Sequence, residues 1–151
     1  MNLSDDFHKQ VHAVRNLESV RQYMVNDKPF SFENHQNFVN LLANDNNKIY
    51  WAVCENHDFI CSISLHPIEW EQKYAEWGIY MNPNFAGKGI AKRIALLFFN
   101  YITNLGCFRL IKAKVRKNNA QSYYYHKSIG FITTSEDDTY YMMEKILDQN
   151  E

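Results

Sequence analysis

The chain has 151 residues, 46% of them hydrophobic and 15% aromatic, with a formal net charge of −1. That length suits one domain with one sizeable core, and the balanced charge gives no electrostatic footprint for nucleic acid. No apolar run approaches the roughly 18 residues of a membrane span. The first twenty residues carry Asp5, Asp6, Lys9, Arg15 and Glu18 where a signal peptide would have an apolar stretch, so a cytoplasmic location is expected.

Residues 1 to 14 are polar with scattered Phe7, Val11 and Val14 and fit a strand, a helix or a loose arm. Leu17, Val20 and Met24 have helical period, with Asn16 as N-cap and Pro29 as a stop, predicting a helix near 17 to 25. Ser31 caps a second helix whose face is Phe32, His35, Phe38, Leu41 and Leu42, broken by the polar run 44 to 47. Two stretches rich in aromatic and β-branched residues, 49 to 54 and 59 to 65, flank Glu55-Asn56-His57-Asp58 and predict a hairpin. A strand over 76 to 81 follows. Ile90, Ile94, Leu97, Phe98, Tyr101 and Ile102 form the apolar stripe of a helix that Gly106 ends. The remainder reads as a strand over 110 to 115, a helix over 119 to 128 stopped by Gly130, and a strand over 140 to 146.

Cys54, Cys61 and Cys107 are an odd number without close pairing and fit reduced, buried thiols. His8 and His12 are four residues apart, but no carboxylate or cysteine completes a metal set, so no metal is expected.

The chemistry concentrates where the strand over 76 to 81 passes through Asn82-Pro83-Asn84-Phe85-Ala86-Gly87-Lys88-Gly89 into a helix. Glycines let the backbone approach an anion closely, and the first helical turn points free N–H groups at it. The pattern is neither the dinucleotide fingerprint nor a P-loop, yet it predicts a phosphorylated ligand.

Ala86 to Ala91 resembles the acetyl-CoA loop of the GCN5-related N-acetyltransferase (GNAT) superfamily. That loop places Gln or Arg, Gly, and Gly or Ala at its first, fourth and sixth positions; Gly89 and Ala91 fill the last two, and Ala86 departs from the first. Asn119, Ser122, Gly130 and Phe131 match the family's second motif, N-x-x-A/S-x-x-x-Y-x-x-x-G-F, with His126 in the tyrosine register. The resemblance implies an α+β, three-layer α/β/α fold whose mixed, mostly antiparallel sheet is splayed between its fourth and fifth strands. Acetyl-CoA would be the donor cosubstrate, with no metal. Its pantetheine would run along Ile79, Tyr80 and Met81, and its pyrophosphate would rest on Gly87, Lys88, Gly89, Ile90, Ala91 and Lys92. Asn119 would bond the pantetheine, and a strand amide near Met81 would polarise the thioester carbonyl.

His126 or its neighbour Tyr125 would protonate the departing thiolate, and Glu76, with a pKa raised by burial against Trp77 and Trp51, would deprotonate the amine. The stretches Val14 to Met24 and Ser31 to Phe38 resemble the W-R-N-x-x-x-I/V-R-x-x-M and I-S-x-x-x-H-x-x-F patterns of PseH-type enzymes, within the broader RimJ/RimL group. Such enzymes acetylate the 4-amino group of a UDP-linked amino sugar, which places Arg15, Asn16, Met24 and His35 at the acceptor. Val14 stands where that branch has tryptophan. Acetylation of protein N-termini or small amines, or acyl-CoA binding without catalysis, are the alternative expectations. Exposed edge strands of a splayed sheet also point to a homodimer, with neither nucleic acid nor membrane as partner.

Overall fold

The computed structural model describes residues 3 to 148. The N-terminal stretch is a helix, α1 (Asp5–Asn16), whose Ser4 side chain accepts the Phe7 N–H and whose first turn carries Asp5 and Asp6 against the helix dipole. A single turn, α2 (Glu18–Arg21), and α3 (Phe32–Leu42) follow; Ser31 caps α3 by accepting the Asn34 N–H. Asn16 is therefore the last residue of α1 and not the cap of the next helix. Both amide ends of its side chain hold the backbone of Phe30: Oδ1 accepts the Phe30 N–H at 3.0 Å and Nδ2 donates to the Phe30 carbonyl at 2.9 Å.

The strands are β1 (Ile49–Glu55), β2 (Asp58–Glu69), β3 (Tyr74–Met81), β4 (Leu110–Arg116), β5 (Ile132–Glu136) and β6 (Tyr140–Ile146). They form one sheet in the order β1-β2-β3-β4-β6-β5. The expected hairpin is β1–β2, closed by Asn56 and His57, with Asn56 taking the positive φ of 55° that asparagine tolerates. β5 was not expected from the sequence: all five of its residues are exposed, so it has no alternating apolar signal. The helices α4 (Ile90–Leu105) and α5 (Ala120–Ser128) bracket β4 in sequence.

β3 and β4 run parallel and share only Tyr74↔Leu110, Ala75↔Ile111 and Glu76↔Lys112 before their ladder stops, whereas β4 and β6 pair over seven residues. The sheet is splayed there. In chain order the break falls between the third and fourth strands.

The described residues divide into two compact units, 3–65 with 78–86, and 66–77 with 87–148. In the first, Val11, Val14, Val20 and Phe59 form a buried cluster against which Phe7, Met24, Ala52 and Tyr80 pack. The second is built around aromatic rings. Trp77 lies nearly parallel to Phe98 at 6.1 Å and to Phe131 at 6.0 Å, and Phe99 is 4.8 Å away. No helix among the described residues is long and apolar enough to cross a membrane. Cys61 is buried and its thiol is pushed up to about 12 by desolvation, while Cys54 and Cys107 are only half-buried.

Candidate active site

The second unit carries the anion-binding geometry. Gly87 and Gly89 have φ of 79° and 71°, conformations that a side chain strains, and a Cβ at either would meet nothing within 4 Å. Gly89 is the N-cap of α4, has no side-chain cap, and the first turn holds no acidic residue. The N–H groups of Ile90, Ala91 and Lys92 therefore have no partner within the helix and lie at the positive end of its dipole. Lys88 and Lys92 flank them, both exposed. Such a set of free N–H groups can donate to an anion.

Asn119 caps α5, its Oδ1 accepting the Ser122 N–H at 3.2 Å. Tyr125 donates its hydroxyl proton to the Ala91 carbonyl at 2.9 Å and so ties α5 to the first turn of α4. His126 is 5% exposed. Its Nε2 accepts the Trp77 indole N–H at 3.1 Å and its Nδ1 lies 2.7 Å from the Ser122 carbonyl. Burial lowers its pKa below the ordinary imidazole value. The expected thiolate acid thus meets a geometric obstacle, since both ring nitrogens are engaged and the ring is closed off from solvent; the Tyr125 hydroxyl is engaged as well.

Glu76 is half-buried on β3, and desolvation raises its pKa while Lys114, His66 and Lys112 oppose the rise. Trp77 is not the cause that the sequence suggested, because successive strand residues face opposite sides and Trp77 points to α4 and α5. Glu76 shares its side with Lys112, whose ammonium stands 4.0 Å from the centre of the Tyr74 ring.

In the first unit, Ile79 to Met81 extend β3 beyond its ladder with β4. The Tyr80 hydroxyl is hydrogen-bonded to Ser62, and burial pushes it up to about 12. Of the four acceptor candidates, three turn inward. Asn16 clamps Phe30; Met24 packs on the α1–α2 cluster; His35 is 6% exposed, with its Nε2 3.3 Å from His8 Nδ1 and its ring centre 5.9 Å from those of Phe32 and His12. Desolvation, then the neighbouring His8 and His12, lower the His35 pKa to about 4. The histidine pair His8 and His12 thus meets a third histidine, and no group among the described residues has the arrangement of a metal site.

Arg15 differs. Its Nη2 donates to the Asn26 carbonyl at 3.2 Å and its guanidinium stands 5.7 Å from the centre of the Phe30 ring, while Nη1 is buried without a hydrogen-bond partner among the described residues. Desolvation lowers its pKa, and the titratable groups facing it are the phenols of Tyr80 and Tyr50. No carboxylate among the described residues pairs with it. The sequence singled out Arg15 by pattern, but it could not show that the charge lacks a counter-ion.

Residues 2–132 match the family model described as acetyltransferase (GNAT) domain. The chain is 29% identical over 130 residues to acetyltransferase PseH of Campylobacter jejuni subsp. jejuni serotype O:23/36 (strain 81-176), covering 84% of this chain and 78% of the relative. Among solved structures, spermidine N-acetyltransferase of Vibrio cholerae in complex with CoA and spermine superposes with a TM-score of 0.86 at 19% identity, covering 96% of this chain and 92% of the other. C. jejuni PseH in complex with acetyl coenzyme A superposes with a TM-score of 0.74 at 21% identity, covering 97% and 94%.

Proposed function

The chain belongs to the acetyltransferase (GNAT) domain family, and from that premise we propose that it transfers acetyl from acetyl-CoA to the 4-amino group of a nucleotide-linked amino sugar. The observation that carries the acceptor class is Arg15. A half-buried guanidinium with a buried, unpartnered N–H costs about 1–3 kcal/mol until an acceptor meets it. A diphosphate or carboxylate on the acceptor supplies that partner and can take two parallel N–H groups of the fork. A polycation such as spermine would be repelled by the same charge. The relatives named acetyltransferase PseH support the sugar reading through the resemblance to PseH-type enzymes; the spermidine N-acetyltransferases resemble this chain in fold.

In this reading acetyl-CoA supplies an activated thioester. The N–H groups of Ile90 to Lys92, with Gly87, Lys88 and Gly89, hold its pyrophosphate. Ile79 to Met81 offer strand-edge groups to the pantetheine, and Asn119 Nδ2 adds a donor while Oδ1 keeps its cap. Glu76 takes a proton from the incoming ammonium, so that the amine lone pair is free to attack. As the new C–N bond forms and the C–S bond breaks, the second amine proton passes to sulfur, a transfer that needs no separate acid from the chain.

Steady-state kinetics of Arg15→Met test the acceptor class. The KM for an amine bearing a phosphate or diphosphate should rise about ten- to a hundredfold, the value of a hydrogen bond to a charged group, while a neutral amino sugar is little affected. Equal losses for anionic, neutral and polycationic amines would refute it.

A further inference from the structure

The helix α5 spans nine residues and buries fully one side chain, His126. A helix that short does not hold its shape in water alone, so its position depends on what anchors it. Tyr124 is 68% exposed, and Tyr123 and Tyr125 are half-buried, so the imidazole is the one side chain of the helix that is fully enclosed, beside the Tyr125 tether to Ala91.

The imidazole is held on all sides. Trp77 and Phe131 meet it edge to face at 5.8 and 5.2 Å, and Tyr125 at 5.4 Å. An indole nitrogen can only donate, so Nε2 must be the unprotonated nitrogen, and Nδ1 carries the hydrogen that goes to the Ser122 carbonyl. Protonation would set an Nε2–H against the indole N–H. The arrangement exists only with a neutral ring.

Trp77 immediately follows Glu76, the last residue of β3 paired to β4. Its hydrogen bond therefore links the end of that ladder to α5, while Tyr125, the residue before His126, bonds Ala91 in the first turn of α4. Asn119, the cap of α5, is placed by the same framework, because its Oδ1 bonds Ser122, whose carbonyl accepts from His126.

We propose that His126 is a positioning residue and not the proton donor: as a neutral acceptor from Trp77 it fixes α5, and thereby Asn119, and so sets the affinity for acetyl-CoA. This rests on acetyl-CoA being the donor. Glutamine at this position can accept the indole N–H but cannot act as an acid, whereas phenylalanine fills the space and leaves the N–H unpaired. His126→Phe should raise the KM for acetyl-CoA about tenfold, equivalent to about 1.4 kcal/mol, with kcat changed less than threefold. Trp77→Phe should do the same, and His126→Gln should rescue the KM with the wild-type pH profile. A hundredfold loss of kcat in both His126 variants, with the acetyl-CoA KM unchanged, would overturn the proposal and restore the proton-donor role.

Should a variant fail to fold, nitrogen-15 NMR of the unsubstituted protein decides. An unprotonated Nε2 across pH 6 to 8 together with a slowly exchanging Trp77 indole proton supports the proposal, and a protonated Nε2 overturns it. This readout needs no turnover, so a failure of the acetyl-transfer reading would show separately, as absent activity beside an intact imidazole signature.

Discussion

Asn16 grips Phe30 by both backbone groups, 3.0 Å to its N–H and 2.9 Å to its carbonyl, across 14 residues of chain. The end of α1 is thereby stapled to the segment that leads into Ser31 and α3, beside the side chain of Arg15. Two such hydrogen bonds contribute about 1 kcal/mol each, so Asn16→Ala should lower unfolding free energy by about 2 kcal/mol. Urea denaturation checks this, with the midpoint falling at unchanged slope. An unshifted midpoint would show that water replaces the clamp.

Acid should loosen the same region. The folded-state pKa of His35 is lowered to about 4 from an ordinary 6.5 by burial and by His8 and His12. A depressed pKa means that the native state favours the neutral ring: its contribution is complete above about pH 6.5 and is lost as pH falls toward 4. Thermal unfolding as a function of pH should show a decline over that window, and His35→Phe should flatten it. A decline that is unchanged in the variant would assign the acid sensitivity to other groups.

Gly89 starts α4 at φ 71° with open space where a Cβ would stand. Gly89→Ala should cost about 1 kcal/mol in stability from the left-handed backbone and raise the KM for acetyl-CoA, because the strain is relieved by moving the N–H groups of the first turn. Calorimetric titration with CoA measures the second effect directly. Wild-type affinity would place the pyrophosphate elsewhere.

For Glu76, burial raises the pKa against the pull of Lys114, His66 and Lys112, so the acidic limb of kcat/KM should lie above the ordinary carboxylate range. Glu76→Gln should remove that limb and reduce kcat for amines that arrive protonated. An unaltered pH–rate profile would make Glu76 a structural member of the charged face formed with Lys112.

The sequence disclosed the parts of the molecule that depend on neighbours in the chain. The turn at Gly87 and Gly89 entering α4, the caps Ser31 and Gly106, and the β1–β2 hairpin follow from local backbone chemistry and apolar period. The Ser4 cap and the acidic first turn of α1 were also present as local signals, although polar residues between Phe7, Val11 and Val14 obscured the helix. β5 offers no such signal because both of its faces are exposed. At the site, motif register identified His126, but its burial and its tautomer are imposed by Trp77, 49 residues distant. Asn16 likewise looks like a cap until Phe30 is brought to it. That no carboxylate among the described residues pairs with Arg15, and that its Nη1 is buried without a partner among them, is a property of what surrounds it in space, which no spacing of residues records.

The most direct test of the account is release of the CoA thiol from acetyl-CoA, followed with UDP-linked 4-amino sugars, polyamines and peptide N-termini as acceptors. The account predicts turnover with the anionic amino sugars, at a kcat/KM well above that for spermidine or spermine. Preference for a polyamine or a peptide N-terminus would contradict the role given to Arg15, and thiol release with none of the amines, despite CoA binding, would contradict the acetyl transfer to a small amine proposed for this chain.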